Sequence, residues 1–411
     1  MLIAALFALP LYLPGQGDAN AQRFEVYSWW TGPGEGDGLE AMIEHFTKNN
    51  PDVDFVNAAV SGGAGSNAKA ILASRLLAND PPDSYQRHAG LELQDDVRSG
   101  KVQDLTQLYQ EQGWHATFPQ GLLDYLTIDG GIYAVPVNIH RANLTWYSPK
   151  TLRSLGIDSP PRSWNEFLQQ APSIKAQGKT PLALGPEWTQ KHLLEAVLLG
   201  ELGPDQYEGL WDGRMSWRSP EVTSALNTFQ MVLEFTDITS AASDWQPQLD
   251  RIIDATATYA VMGDWAYTYF AITKKLGWRQ DFDVAASPGT DGVFDFLSDT
   301  FTLPTGSRHP EITKTWLIEC GSTEGQNLFN PLKGSIPART DADPTPYLDY
   351  LAWDLQEWRN PDTRIVGSLA HGVVANNAWG AEIDTALVLF LQDGDAVKFA
   401  ETVATRYRET K

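Results

Sequence analysis

Phe24-Glu25-Val26-Tyr27-Ser28-Trp29-Trp30-Thr31-Gly32-Pro33-Gly34-Glu35-Gly36 is the stretch around which the chain is organised. Phe24 to Tyr27 are mostly aromatic or β-branched and alternate, which predicts a strand. Two tryptophans follow, then a turn in which Gly32, Pro33, Gly34 and Gly36 surround one carboxylate, Glu35. Successive residues of an extended segment point to opposite sides, so Trp29 and Trp30 do not enter the same core layer. One of them belongs at a strand end, over a crevice or a surface. In open α/β sheets, ligands collect outside the carboxyl ends of strands. An aromatic platform beside a glycine-flexed carboxylate is the functional reading. Core tryptophans followed by a surface turn are the commoner use of such a stretch.

Working outward, Leu39, Met42, Ile43 and Phe46 form one helical face that stops before Asn49-Asn50-Pro51. Val53 to Val60 alternate as a second strand. The loop Ser61-Gly62-Gly63-Ala64-Gly65-Ser66-Asn67 then opens a helix through Ile71, Leu72, Arg75 and Leu76. That loop lacks the order of a phosphate cradle, but a helix N-terminus equally holds a hydroxyl or a carboxylate. A third short strand ends in Ser84-Tyr85-Gln86-Arg87-His88-Ala89-Gly90. This β-α-β-α-β order predicts an α/β fold with a mostly parallel sheet.

Further along, helices are expected over Leu91 to Arg98 and Leu122 to Leu126. Asp129-Gly130 marks a hairpin. Pro136 interrupts an extended run that a central strand would not tolerate, so residues 134–141 read as a crossing between two lobes. The second lobe begins with strand Leu144 to Tyr147 and helices from Pro149 and Ser163, the latter with a capping box to Glu166. Pro181 to Gly185 and Thr258 to Met262 read as strands, and Glu221 to Phe235 and Leu249 to Ala255 as helices. Phe282 to Ala286 and Asp295 to Leu303 read as the return crossing. A helix follows, then a loop Asn330 to Ser335, a helix from about residue 346 to Arg359, a loop through His371, and two final helices.

A length of 411 residues suggests two domains, and 42% hydrophobic residues suffice for globular packing. The net charge of -22 argues against nucleic acid or an anionic membrane as partner, since phosphate needs clustered Lys and Arg. The single cysteine, Cys320, excludes an internal disulfide and lies at helical spacing from Ile312 and Trp316, as a buried structural thiol does. Fifteen tryptophans are many for this length; core packing is their commoner use, and the enrichment also hints at sugar or aromatic-ligand surfaces. Residues 1–21 read as a secretory signal: an apolar run Leu2 to Leu13, then Ala19-Asn20-Ala21 as the cleavage pattern, with Gln22 as the mature start. The run lacks the basic residue that usually precedes it.

Three constellations carry chemistry-bearing side chains. His88, His140 and His371 lack the spacing of a metal set. No G-x-S-x-G elbow occurs, and Ser368 near His371 has no nucleophile context. Glu35 with Asp299 matches the two-carboxylate requirement of a retaining glycoside hydrolase. There remains a set of planar polar and aromatic side chains at strand ends and loops: Trp29, Trp30, Glu35, Gln86, His88, Asn138, Trp265, Asp299, Lys333 and His371. Such groups pair with the hydroxyls of a sugar, while an indole covers its apolar face.

With those residues in view, the sequence resembles the extracellular solute-binding proteins of sugar ABC transporters, the glucose-binding type in particular. The resemblance rests on Ser28-Trp29-Trp30, Gly62-Gly63-Ala64-Gly65, Asp83 to Gly90, Val135 to Arg141, Val261 to Trp265, Leu297-Ser298-Asp299, Asn330 to Ser335 and Ile365 to Leu369. It implies a two-lobed periplasmic-binding-protein-like fold of type II, with several hinge crossings and a ligand cleft between the lobes. Residues 22–135 with 290–340 are expected in one lobe, and 136–289 with 341–411 in the other. It further implies no enzyme activity and no cofactor, and a secreted monomer that hands a monosaccharide (glucose, galactose or mannose) to membrane permease subunits. Glu35, Gln86, His88, Asp299, Lys333 and His371 would then bond the hydroxyls. Trp29, Trp30 or Trp265 would stack on the ring, and Asn138 would stand where hinge meets cleft. A retaining hydrolase using Glu35 and Asp299, and a lectin without transport, are the alternatives.

Overall fold

The computed structural model describes residues 22–62, 65–237 and 244–410. The signal-like segment 1–21, and Gly63 and Ala64 of the glycine-rich loop, lie outside the described residues.

The opening strand is Gln22–Tyr27, and it lies between Val53–Asn57 and Ser84–His88 with both pairings parallel. The helices Glu35–Asn49 and Ser66–Leu77 make the two crossovers. This is the βαβαβ unit that the alternation of patterns predicts. Two antiparallel strands complete the first sheet, Asp299–Thr302 beside Ser84–His88 and Ala134–Pro136 at the edge. The edge position suits Pro136, which has no N–H to give to a further neighbour. Register sets Asp299 opposite His88 and Phe301 opposite Gln86.

A second five-stranded sheet runs Thr236–Asp237, Thr180–Ala183, Ala257–Val261, Leu144–Tyr147, Asp283–Ala286. A third, smaller sheet joins Arg364–Gly367, Val293–Leu297 and His140–Arg141. The molecule therefore has two α/β lobes, and the backbone passes between their sheets near residues 137–143, 287–298 and 334–349. The Ser298 hydroxyl donates to the Asn138 carbonyl at 2.7 Å, where the chain leaves the third sheet for the first.

Aromatic side chains fill the space between sheets and helices. Trp316 is fully buried, with Phe46, Phe55 and Phe301 meeting it edge-on at centroid distances of 5.4, 5.2 and 5.5 Å. In the second lobe Phe270, Phe282 and Tyr350 surround Trp146 with tilted rings at centroid distances of 5.6, 6.1 and 5.4 Å. Much of the tryptophan excess is thus spent on packing. Cys320 is a buried free thiol, as its helical spacing predicts. No described helix is long and apolar enough to cross a membrane.

Several boundaries differ from expectation for physical reasons. The second strand ends at Asn57, but Ala58 and Val60 still donate to the carbonyls of Val26 and Ser28, so extended pairing continues past the regular ladder. The run Asp295 to Leu303 is not one strand: it splits at Ser298 between two sheets. Asp283–Ala286 is an edge of the second sheet, not part of a crossing. Asn330 to Lys333 are helical, because Thr323–Lys333 accommodates Pro331 near its end and stops at Gly334, φ 83°. The Ser163 hydroxyl accepts from the Glu166 N–H, but the Glu166 carboxylate reaches the N–H of Arg162 and not that of Ser163. Helix Thr106–Gln112 and strand Arg364–Gly367 carry no clear sequence period, and the sequence reading has neither.

Trp316→Ala removes the ring on which Phe46, Phe55 and Phe301 converge. It should lower unfolding free energy by about 3–5 kcal/mol in urea titration.

Candidate functional site

The carboxyl end of the first sheet forms one wall of a cleft whose volume is about 580 Å³, measured to its open mouth. The tryptophan pair divides as strand geometry requires. Trp30 is core, its ring 4.7 Å from Phe329 and 5.7 Å from Phe301, with only an edge toward the cleft. Trp29 turns the other way and lies half-buried in the cleft wall. The residue behind it is glycine for a reason: Gly65 has φ 93°, and a Cβ there would fall 2.8 Å from the Trp29 indole.

Asp299 is the centre of the wall. Its carboxylate accepts from the Gln86 amide at 2.8 Å and from the Asn138 amide at 2.9 Å. The side-chain oxygen Oδ1 of Asn138 in turn accepts from the Asp299 N–H at 2.8 Å, and Oε1 of Gln86 from the Trp29 N–H at 3.1 Å. His88 Nε2 and His140 Nε2 stand 3.5 and 3.6 Å from the two Asp299 oxygens. Gln86 and Asn138 therefore sit behind Asp299 and do not line the cleft, whereas Asp299 does. Each carboxylate oxygen has a second lone pair left for an incoming hydroxyl.

Beside it, His88 Nδ1 bonds Glu92 at 3.0 Å, and Glu92 also takes the Lys69 ammonium at 2.7 Å. Burial alone would raise the Glu92 carboxyl, but Lys69, His88 and Arg87 together hold it well below the usual carboxylate range. The Lys69 ammonium also lies 5.1 Å from the centre of the Trp29 ring. On the opposite flank, Lys333 ends its helix with its ammonium 3.0 Å from Glu35, which begins helix Glu35–Asn49. Burial pushes the Glu35 carboxyl up; Lys333 opposes the shift, and Asp244 and Asp299 add to it. Lys333 is thus a packed cation facing Trp265 at 5.7 Å, not a solvated loop charge.

The facing wall comes from the second lobe and the loops beyond it. His140 bonds Asp264, which also accepts from the Arg141 N–H at 3.0 Å. Burial and the neighbouring Asp354 push the Asp264 carboxyl up, and burial pushes the His140 imidazole down. Trp265 packs edge-on against His140 at 5.3 Å and His371 at 5.2 Å. Trp188 and His192 close the aromatic ring set around His371, at 6.1 and 5.5 Å. Burial lowers the His192 and His371 imidazoles as well, leaving them neutral hydrogen-bonding groups near neutral pH. His371 Nε2 and His140 Nε2 are buried without a hydrogen-bond partner. His88, Trp188 and His371 also line a second cavity of about 1100 Å³, so they form the partition between the two spaces.

Eight of the ten residues singled out from sequence line the cleft, and Gln86 and Asn138 are the orienting pair behind it. Sequence reasoning missed Trp188, Asp244, Trp245, Lys69 and Glu92, and weighed His140 only as a hinge or metal residue. Trp188 carries the same signal as Trp29: it follows strand Thr180–Ala183 through Gly185-Pro186. Among the described residues no group of His, Cys, Asp and Glu is arranged to hold a metal ion. Chemically, the cleft offers indole faces, neutral imidazoles, three carboxyls and one ammonium around one space that is partly open to solvent.

A model of the bacterial extracellular solute-binding proteins matches residues 30–327. An uncharacterised ABC transporter extracellular-binding protein of Pyrococcus horikoshii is 33% identical over 387 residues, 93% of this chain and 87% of that one. A probable sugar-binding periplasmic protein of Brucella suis is 31% identical over 368 residues, 86% of this chain and 85% of that one. The crystal structure of a bacterial solute receptor with an exclusive preference for β-D-galactopyranose superposes with a TM-score of 0.82 at 16% identity, covering 95% of this chain and 99% of that one. The fold is accordingly the two-lobed, type II periplasmic-binding-protein arrangement.

The folded chain holds the Glu35 proton more tightly than the unfolded chain, so this group contributes stability at low pH that is lost as pH rises through its folded midpoint. Lys333→Met removes the opposing ammonium and should move that midpoint further up, read from the Glu35 carboxyl carbon by NMR. An unmoved midpoint would show that Lys333 does not oppose the burial.

Proposed function

The chain belongs to the bacterial extracellular solute-binding protein family, and on that premise we propose that it captures one hexopyranose, glucose or a close epimer, for an ABC transporter. The observation that carries the reading is the meeting of aromatic faces and held polar groups from both sides of one cleft. Trp29, His88, Asp299 and Lys333 belong to the first wall, and Trp265, His140, Trp188 and His371 to the second. A pyranose has an apolar face that an indole covers and a rim of hydroxyls that each donate and accept. Asp299 and Glu35 serve as acceptors, Lys333 as donor, and the neutral histidines as either.

Capture needs no bond to break. A sugar touching both walls stabilises the closed arrangement by the difference of its affinities for closed and open forms. The groups that hold it are already fixed: Asp299 cannot swing away, because Gln86 and Asn138 hold both its oxygens. Such pre-organisation lowers the entropy lost on binding. His88, Trp188 and His371 stand between the cleft and the neighbouring cavity, which favours a ligand of a single ring. In this reading the lobe built on the first sheet moves against the lobe that carries the second and third sheets, with Ser298 at the joint because Val293–Leu297 pairs with Arg364–Gly367 and His140–Arg141. The mature chain starts near Gln22, works outside the cytoplasm as a monomer, and docks on permease subunits. The retaining-hydrolase alternative has no support in the family match, and its two carboxyls are both engaged here by amide or ammonium donors.

Isothermal titration with D-glucose, D-galactose and D-mannose should give saturable one-to-one binding for at least one of them. Absence of heat with all three would refute the reading. Asp299→Ala should weaken binding by about 100-fold, since it strands both amides and removes an acceptor from the sugar. A chromogenic glucoside should release no product, and release abolished in Glu35→Gln would establish the hydrolase instead.

A further inference from the structure

His371 sits on a tight loop, and that loop is held from below by a carboxyl pair that touches no ligand-facing atom. Glu195, on helix Glu187–Asp212, is fully buried and accepts from the Ser368 hydroxyl with both oxygens, at 2.9 and 3.1 Å. It also accepts from the Ala370 N–H. The Ser368 hydroxyl oxygen in turn accepts from the His371 N–H at 3.3 Å. A continuous chain of hydrogen bonds therefore runs from Glu195 to the backbone that aims the His371 ring at Trp265.

Beneath Glu195 lies Asp295, in the middle of strand Val293–Leu297, equally buried. Among the described residues neither Asp295 oxygen has a hydrogen-bond donor, and the side chain set against it is Glu195, another acceptor. Two bare carboxylates buried against each other repel, and one proton between them relieves the contact. Burial and the Glu195 charge both push the Asp295 carboxyl well up, with Arg141 pulling the other way. The other titratable groups facing the pair are His192 and Tyr207 on the Glu195 helix and Tyr125 from helix Gln120–Leu126. None of them donates a hydrogen bond to Asp295: His192 Nε2 bonds the Ala142 carbonyl and the Tyr207 hydroxyl bonds the Gly367 carbonyl.

We propose that Glu195 and Asp295 are positioning residues that share one proton, and that this proton, by keeping Glu195 bonded to Ser368 and Ala370, holds His371 in the ligand cleft. When the proton leaves for solvent, the repelled carboxylates move apart and slacken the 368–371 loop. The effect on ligand affinity rests on the sugar-binding reading; the effect on the His371 ring does not.

The test combines three chains with two readouts. Glucose affinity is measured calorimetrically between about pH 6 and about pH 9.5 for the wild type, Asp295→Asn and Ser368→Ala. The Hε1 resonance of His371, assigned by its loss in His371→Gln, is followed without sugar over the alkaline half of that range. The wild type should lose about tenfold in affinity as the pair gives up its proton, and the His371 resonance should move with the same midpoint. Asp295→Asn carries a fixed amide donor, so its affinity and its ring resonance should stay constant across the range. Ser368→Ala should bind about tenfold more weakly at every pH, with its melting temperature showing that it is folded. An Asp295→Asn profile that tracks the wild type, or Ser368→Ala binding as tightly as wild type, overturns the proposal. A wild type that binds no hexose but keeps the ring titration refutes only the sugar reading.

Discussion

Asp299 is a carboxylate taken out of water at the point where three stretches of backbone meet. Isolated, such a charge would cost several kcal/mol. Here its oxygens are bonded by Gln86 from one strand and Asn138 from the first crossing, and its own N–H returns a bond to Asn138. Hydrogen bonds to a charged group contribute about 1.5–3 kcal/mol each, so the site is stable only while all of them are present. That requirement fixes the register of Asp299 against His88 and the path of residues 136–140. The cleft wall is a by-product of keeping one charge satisfied.

The rest of the cleft repeats the device. Several polar groups that face the space are backed by a partner that does not: His88 by Glu92, His140 by Asp264, and the His371 loop by Glu195, while Lys333 and Glu35 pair within the wall itself. Burial then keeps His140, His192 and His371 neutral, so the second wall presents dipoles rather than charges. A neutral polyol suits such a wall, because no net charge has to be desolvated twice.

Much of this was legible in the sequence where a local rule governs. The opposite facing of Trp29 and Trp30 follows from strand pleat alone, and the βαβαβ order gives the first sheet. Asp129 and Gly130, with φ 51° and 89°, form the two-residue turn their identities announce. What was not legible depends on pairs far apart in sequence. Asp264 meets His140 across 124 positions and Lys333 meets Glu35 across 298, and no period in the chain marks either pair. Asn330 to Ser335 read as a loop, yet the helix runs on through Pro331 and ends only at Gly334. Asp295 to Leu303 read as one strand, because nothing in its alternation shows that Ser298 changes sheets.

That change of sheets has a mechanical meaning. Val293–Leu297 and Asp299–Thr302 belong to different sheets, with a single buried serine between them. When one lobe swings about this joint, displacement grows with lever arm, and Asp299 is the residue adjacent to the fulcrum. The acceptor at the heart of the cleft is therefore nearly stationary through any such rotation, while Trp188 and Trp265 travel. In the capture proposed above, an arriving molecule meets its anchor first and its lid last.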